Sequence, residues 1–191
     1  MLNQRIVLAS KSPRRAEILR AVGWEFEAIA ANIDETRMAS EDAVSYVKRL
    51  AQTKAETVAE LISDEALVLG ADTVVVVDGE ILGQPGDDSN ARRMLTLLSG
   101  KWHEVVTGVA LLRAGQTPQL LIDHETTRVR FCEMTAGEID WYVSTGEPSD
   151  KAGAYAIQGR GAVFIQEIQG DYFNIVGLPI RLLYELMSDT L

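Results

Sequence analysis

The stretch ALVLGADTVVVV, at residues 66–77, decides the fold of this 191-residue chain. Its apolar residues run on without alternation, which is typical of a strand covered on both faces in the middle of a sheet. Asp78-Gly79 follows as a strong hairpin signal, so residues 80–82 are expected to form a short returning strand. Predicted strands and helices alternate on either side of this pair. We therefore predict an α/β fold with a mixed central sheet flanked by helices.

The other elements follow from hydrophobic periodicity and from helix-capping residues. Extended segments are expected at residues 5–9, 24–31, 102–112, 120–131 and 162–168, and helices at residues 13–22, 40–62, 87–98, 135–144 and 179–187. Ser40 is the expected cap of the longest helix, and Thr135 with Glu138 has the spacing of a capping box. Residues 145–161 are rich in Gly and Ala and are expected to form a loop.

Composition limits the kinds of protein that this chain can be. Its length fits a single domain over residues 1–191, with room for two lobes, and 47% hydrophobic and 24% charged residues argue against disorder. A formal net charge of −10 argues against a nucleic-acid polymer as partner, although a small anion could still bind at a local basic site. Cys132 is the only cysteine, which excludes an internal disulfide and a Cys-based metal site.

Other classes are excluded by motifs that the sequence lacks. It has no Walker-type phosphate loop, no dinucleotide-binding glycine pattern, no HExxH and no GxSxG. The first 15 residues lack the apolar stretch of a signal peptide, and no apolar run approaches the length needed to span a membrane. We therefore expect a cytoplasmic protein that has no membrane partner.

Three cations surround the predicted start of the first helix: Lys11, Arg14 and Arg15. Pro13 suits the first helical position, and Ser10 or Ser12 can cap the helix. A helix N-terminus already carries partial positive charge, so cations are misplaced there unless an anion joins them. The pattern predicts a pocket for phosphate or carboxylate, and the alternative is a solvated basic turn.

Two further charged residues interrupt apolar patterns. Lys54 falls in the apolar stripe of the helix predicted at residues 40–62, so it must either extend to the surface or meet an anion. Asp72 interrupts the strand at residues 66–77, beside Gly70 and Ala71, which would let a ligand approach the backbone. A functional carboxylate is favoured at Asp72, and the alternative is a carboxylate that caps a turn or pairs with arginine.

The remaining polar candidates are less informative. Asp34-Glu35 could bind a metal or be simple loop charge. His103 and His124 have no metal-ligand spacing with each other or with Cys132, so structural roles are expected for both. The three tryptophans are expected to fill the core.

Short motifs spread over almost the whole chain, in order, resemble those of the Maf proteins, which are nucleotide pyrophosphatases with an ITPase-like α/β fold. The matching motifs are LASKSPRR at residues 8–15, DE at 34–35, LA at 50–51, KA at 54–55, GADTVV at 70–75, ILG at 81–83, SG at 99–100, His103, TGV at 107–109, TGEP at 145–148, DKAGAY at 150–155, IQG at 157–159, Asn174 and VGLP at 176–179. Each motif alone is weak, but the ordered set is specific.

The resemblance implies hydrolysis of a nucleoside triphosphate between its α- and β-phosphates, with Mg²⁺ or Mn²⁺ as the cofactor, in a cleft between two lobes. It implies that Asp72 is the general base and that Glu35, with Asp72, binds the metal or a water. Residues implied to bind the substrate or to select it are Ser10, Arg14, Arg15, Lys54, Thr73, Gln84 and Gln158. The family also implies a homodimer.

Residues 150–159 resemble the branch of the family that acts on dTTP and UTP, rather than the branch that acts on 7-methyl-GTP. The amide of Gln158 offers a donor and an acceptor in one plane, which suits the edge of uracil or thymine. The alternative is a glutamine that binds only loop backbone. Gln84 departs from the family pattern, since many relatives have lysine there, so weaker binding of the triphosphate is expected.

Two other functions compete with this interpretation. One is a non-catalytic nucleotide-binding regulator of cell division, which would need the phosphate pocket but not Asp72. The other is a pyrophosphatase for a different nucleotide, such as 7-methyl-GTP.

Overall fold

The protein, described by a computed structural model over residues 4–115 and 117–188, has a mixed sheet of seven strands with helices packed on it. The strands are β1 (Ile6–Leu8), β2 (Glu27–Ala28), β3 (Ala66–Val77), β4 (Glu80–Leu82), β5 (Trp102–Ala114), β6 (Gln119–Phe131) and β7 (Ile165–Gln169). The helices are α1 (Pro13–Ala21), α2 (Ala43–Ala59), α3 (Asp88–Leu98), α4 (Ala136–Ser144), α5 (Tyr172–Val176) and α6 (Ile180–Ser188).

The strand order β2-β1-β3-β5-β6-β7, with β4 paired to β3, makes the sheet mixed. Strand β1 runs parallel to both β2 and β3, whereas β3 and β4 are antiparallel and so are β6 and β7. The predicted α/β class and mixed sheet are confirmed. None of the helices in the described ranges is long and apolar enough to cross a membrane.

The described residues divide into two compact units. Unit 1 contains residues 4–72, 107–115, 117–125 and 177–188, and unit 2 contains Thr73–Val106 and Thr126–Val176. The long strands β3, β5 and β6 each contribute residues to both units. The single domain with a cleft between two lobes stays a prediction.

Helix α2 lies very close to strands β3 and β5 in unit 1, and two glycines make this possible. A Cβ atom at Gly70 would lie 2.0 Å from the carbonyl oxygen of Ala51, and one at Gly108 would lie 2.5 Å from that of Val47. Only glycine leaves room for a helix backbone at that distance. Because Lys54 follows Ala51 by one turn and Asp72 follows Gly70 by two residues, this approach determines which polar groups meet.

Unit 2 has a core of its own that is rich in aromatic rings. Phe131 and Tyr142 are fully buried, and Tyr142 packs edge-on against Phe164 at a centroid distance of 5.5 Å. Helix α4, which carries Tyr142, begins with the predicted capping box between Thr135 and Glu138. This cap fixes the N-terminal end of α4, and the C-terminal end of the helix, at Ser144, leads into residues 145–161.

Several sequence-based boundaries were wrong. Ser40 does not cap α2, because its backbone is left-handed at φ 65°; the cap is Asp42, whose side chain accepts the N–H of Ser45. The expected loop contains 3₁₀ turns at Glu147–Asp150, Ala152–Ala154 and Arg160–Phe164, so β7 begins at Ile165 instead of residue 162. Helix α5 was not predicted.

The tryptophans do not fill the core as expected. Trp24 and Trp102 are half-buried, and Trp141 is 49% exposed. The guanidinium carbon of Arg128 lies over the Trp102 ring, 4.7 Å from the ring centroid. Trp102 therefore has one part in the core and another at the surface, as is common for large aromatic residues.

Candidate active site

The first turn of α1 is organised by Ser10 and not by Ser12. Ser12 occupies the N-cap position, but its side chain makes no capping hydrogen bond among the described residues. The hydroxyl oxygen of Ser10 instead accepts the N–H of Ser12 at 3.1 Å and an N–H of the Arg15 guanidinium group at 3.1 Å. Ser10 therefore fixes both the loop that enters the helix and one of its cations.

Arg15 is buried, so it is not part of a solvated basic turn. Its Nε donates to the carbonyl oxygen of Gly177 at 2.8 Å. Burial lowers the pKa of Arg15, against the opposing effect of the negative charge on Asp72. Arg14 is half-buried, and Lys11 is exposed with its ammonium group 2.6 Å from Oδ1 of Asn32. The three cations thus differ in environment, and Arg15 is the one that is buried and held by hydrogen bonds to Gly177 and Ser10.

Lys54 meets two carboxylates. Its Nζ lies 2.6 Å from Oδ1 of Asp72 and 2.7 Å from Oε1 of Glu35. Lys54 and Asp72 are each only 8% exposed, whereas the Glu35 side chain is 56% exposed. Of the two outcomes open from sequence, Lys54 meets an anion and does not extend to the surface.

Asp72 has the properties of a carboxylate held ready to accept a proton. Burial raises its pKa above the ordinary value, and the nearby charges of Lys54 and Arg15 only partly oppose this. A carboxylate has two oxygens, so the bond from Lys54 to Oδ1 leaves further acceptor capacity for a water molecule. A raised pKa makes the ionised form a stronger base than an exposed aspartate.

The expected ligands of a divalent cation, Glu35 and Asp72, lie on either side of Lys54, and their role as metal ligands stays a prediction. Mg²⁺ is commonly bound through one or two carboxylates together with substrate phosphates, and these two carboxylates converge on one point, the ammonium group of Lys54. Residues 4–115 and 117–188 contain no group of three or more His, Cys, Asp and Glu side chains placed to hold a metal. Asp34 accepts the N–H of Thr36 at 2.8 Å, which matches the loop-charge interpretation.

The remaining site residues predicted from sequence belong to unit 2. Gln84 is exposed, and its Nε2 donates to the carbonyl oxygen of Asp150 at 3.3 Å. Gln158 is exposed and Thr73, which directly follows Asp72, is half-buried. Their roles toward a substrate stay predictions.

His103 is packed among aromatic residues, which agrees with the structural role expected from sequence. Its Nε2 lies 2.9 Å from the hydroxyl of Tyr155, and its ring packs edge-on against Phe131. Burial lowers the pKa of His103 to about 4, so the ring is neutral at neutral pH. Sequence reasoning gave no role to Tyr142 or Glu147, although Glu147 stands in the TGEP motif at residues 145–148.

Comparison with known proteins finds similarity over almost the whole chain. The family model described as Maf-like protein matches residues 5–190. A dTTP/UTP pyrophosphatase of Symbiobacterium thermophilum is 49% identical over 185 residues, which cover 97% of this chain and 93% of that protein. A dTTP/UTP pyrophosphatase of Bacillus cytotoxicus is 50% identical over 184 residues, covering 96% and 94%.

Solved structures support the fold. The Ham1 protein of Staphylococcus aureus matches with a TM-score of 0.57 at 15% identity, over 98% of this chain and 100% of that one. A HAM1 protein of Coxiella burnetii matches with a TM-score of 0.52 at 16% identity, over 97% and 99%. At such low identity the likeness concerns the fold alone.

Proposed function

The chain belongs to the Maf family, and from this premise we propose that it hydrolyses dTTP and UTP to the nucleoside monophosphate and pyrophosphate. The observation that carries the proposal is the buried Lys54, whose ammonium group lies within 2.7 Å of both Asp72 and Glu35. Relatives about half identical over nearly their full length bear the name dTTP/UTP pyrophosphatase.

Asp72 acts as the general base in this proposal. It takes a proton from the water that attacks the α-phosphorus, the bond from the α-phosphorus to the bridging oxygen breaks, and pyrophosphate leaves. The raised pKa of Asp72 favours this proton transfer, because a base whose pKa is nearer to the working pH is a better acceptor. Lys54 keeps Asp72 ionised and fixes its orientation through Oδ1.

The start of α1 receives the phosphates. A helix N-terminus and its neighbouring cations attract anions, and Lys11, Arg14 and Arg15 supply positive charge there. Because Arg15 is fixed by the carbonyl group of Gly177 and by Ser10, it needs little reorganisation when an anion binds. Arg14 is the cation of the first turn that is less buried, and it is also one of the residues proposed to select the substrate.

A divalent cation, Mg²⁺ or Mn²⁺, completes the proposed site, with Glu35 and Asp72 as the residues that would hold it. When bound, it offsets negative charge on the phosphates and on the leaving pyrophosphate. Lys54 already carries one positive charge between the two carboxylates. Glu35, the more exposed of the two, is the one that a cation reaches without entering the protein interior.

Recognition of the base is proposed for Gln158, with Thr73 as a second specificity residue. The exposed amide of Gln158 can donate one hydrogen bond and accept another, which suits the edge of a pyrimidine. A homodimer in the cytoplasm is also part of the proposal, by likeness to the family.

A nucleotide panel tests this function. Purified protein with Mg²⁺ or Mn²⁺ is assayed on dTTP, UTP, the purine triphosphates and 7-methyl-GTP, with separate detection of pyrophosphate and orthophosphate. The expected result is pyrophosphate and monophosphate from dTTP and UTP. Release of orthophosphate and a diphosphate would contradict attack at the α-phosphorus, and faster turnover of 7-methyl-GTP would contradict the pyrimidine assignment.

A further inference from the structure

The carboxylate of Glu147 in unit 2 has no role in the proposed mechanism, yet both of its oxygens accept hydrogen bonds from the backbone of the loop that carries Gln158. Glu147 accepts the backbone N–H of Arg160 on Oε2 and the backbone N–H of Gly161 on Oε1, each at 3.0 Å. Partial burial opposes ionisation of Glu147, but these bonds outweigh it and hold its pKa below the ordinary value. The carboxylate is therefore an ionised anchor for the chain just after Gln158.

The chain just before Gln158 is anchored by Tyr142, which is bonded to the same carboxylate. The hydroxyl of Tyr142 donates to Oε1 of Glu147 at 2.8 Å and accepts the backbone N–H of Ala156 at 3.1 Å. Tyr142 is itself fully buried within the aromatic core of unit 2. A rigid core residue and an ionised carboxylate thus form one unit, which we name the Tyr142–Glu147 clamp.

The clamp holds the backbone on both sides of Gln158 at equal distances along the chain. Its anchored amides lie at residues 156, 160 and 161, so Gln158 stands two residues from the nearest fixed point on either side. Gln158 remains exposed, while Ala156 and Gly161 are buried. The backbone is held and the side chain is presented to solvent, as preorganised recognition of a ligand requires.

Gly159 shows how closely the loop is fitted to the clamp. Its backbone has φ 112° and ψ −148°, a conformation open in practice only to glycine. A Cβ atom there would lie 2.7 Å from Oε2 of Glu147. Any other residue directly after Gln158 would meet both backbone strain and the clamp carboxylate.

We propose that Glu147 is a positioning residue for recognition of the nucleotide base, acting through the backbone on both sides of Gln158. The inference rests on the proposed function, because it takes Gln158 as the group that reads the base. Its consequence is that loss of the clamp weakens binding of the pyrimidine and leaves the chemical step at unit 1 nearly unchanged.

Glu147→Gln tests the proposal while keeping the size of the side chain. An amide has one acceptor oxygen, so its NH₂ group must face a backbone N–H that the carboxylate accepted. Loss of a positioned hydrogen bond is expected to raise KM for dTTP and UTP about 3- to 10-fold, with kcat changed by less than about 2-fold. Asp171→Asn is the matched control, since Asp171 accepts the N–H groups of Phe173 and Asn174 on one oxygen, Oδ1, and an amide retains an acceptor oxygen.

The decisive measurement is a double-mutant cycle with Gln158→Ala. If the clamp acts through Gln158, the effect of Glu147→Gln on KM disappears when Gln158 is already alanine. A purely structural role for Glu147 gives the same fold-change in both backgrounds, or a fall in kcat, and either result overturns the inference. Tyr142→Phe, which removes the bond to Ala156, serves in the same cycle if Glu147→Gln does not fold.

The outcome is distinguishable from failure of the proposed function. A wild-type chain that hydrolyses neither dTTP nor UTP overturns the proposed function and this inference together. A wild-type chain that hydrolyses them, with additive effects of the two substitutions, overturns only the inference.

Discussion

The two units of the protein bury different kinds of polar side chain. Unit 1 buries three charged side chains, Arg15, Lys54 and Asp72, beside the neutral Thr107. Unit 2 buries neutral groups, among them His103, with a ring that is neutral at neutral pH, and Asn174, whose amide donates to the carbonyl oxygen of Val105 at 2.9 Å. The clamp carboxylate of Glu147 in unit 2 remains partly exposed.

We expect this difference to distinguish side chains that act on the substrate from side chains that hold the fold. A buried charge costs several kcal/mol unless it is paired, and a well-packed apolar group in its place is often no less stable. A neutral buried group needs only its hydrogen bonds. Unit 1 therefore keeps its charges in an arrangement that stability alone does not require, whereas the buried polar groups of unit 2 fix backbone and loops. Substitutions of the charged side chains in unit 1 are therefore expected to affect turnover more than substitutions in unit 2.

Asp72→Asn is expected to have the largest effect. The amide keeps the shape of the side chain but cannot take the proton of the attacking water, so kcat falls by about 10²–10⁴-fold. Nucleotide binding, measured by calorimetry, is expected to be retained. Asp123→Asn, an exposed acidic position of the same unit, is the control. Near-normal turnover by folded Asp72→Asn would remove the base assignment and favour a nucleotide-binding regulator.

Lys54→Met removes the cation from between two carboxylates. Breaking a buried pair leaves an uncompensated charge, so the unfolding free energy at neutral pH is expected to fall by about 3–5 kcal/mol. Lys48→Met, on the same helix and with its Nζ 3.9 Å from Asp123, is the control, and its expected loss is below about 1 kcal/mol. Chemical denaturation measures both values.

The same substitution has a signed effect on pH dependence. In the proposed mechanism Asp72 must be ionised, so activity is expected to be lost as pH falls through its pKa, which burial places above the ordinary value of 3.8. Lys54 opposes that rise, and its removal therefore moves the acidic limb of the kcat/KM profile to higher pH. An acidic limb that stays in place in Lys54→Met would show that another group controls it.

His103 is expected to make unit 2 sensitive to acid through stability and not through chemistry. Its folded pKa of about 4 lies below its unfolded value of 6.5, so the unfolded chain binds the proton first as pH falls. The contribution of the neutral His103 ring to the unfolding free energy is full above pH 6.5 and is lost toward pH 4, by up to about 1.4 kcal/mol per pH unit. Urea unfolding at several pH values should show this slope reduced in His103→Gln and kept in the control His124→Gln.

Gln84→Lys is expected to have the smallest effect. Gln84 is exposed, so an added ammonium group gives a screened contact, and KM for the triphosphates should fall by less than about 5-fold at low salt. The change should shrink as salt is raised, with kcat nearly constant. An unchanged KM at low salt would identify position 84 as an ordinary turn residue before Pro85.

Local pattern was sufficient for much of the fold. The strand Ala66–Val77, the returning strand Glu80–Leu82 and the capping box of α4 were all predicted correctly, because each is specified by residues close together in sequence. The cap of α2 was mistaken because Ser40 and Asp42 are both good capping residues, and only the helix register selects Asp42. The backbone around Gln158 is bonded to side chains more than ten residues earlier, Ala156 to Tyr142 and the turn Arg160–Phe164 to Glu147, and local pattern could not indicate these bonds.

The sequence by itself determined which charges had to be exceptional. Lys54 on an apolar helix stripe and Asp72 inside an apolar strand are anomalies that need a partner wherever they fold. Only the tertiary structure decided that they are each other's partner, across 18 residues, and that Glu35 joins them. The physical reason is the close approach of α2 to β3 at Gly70, since separation along the chain carries no information about which packed surfaces meet.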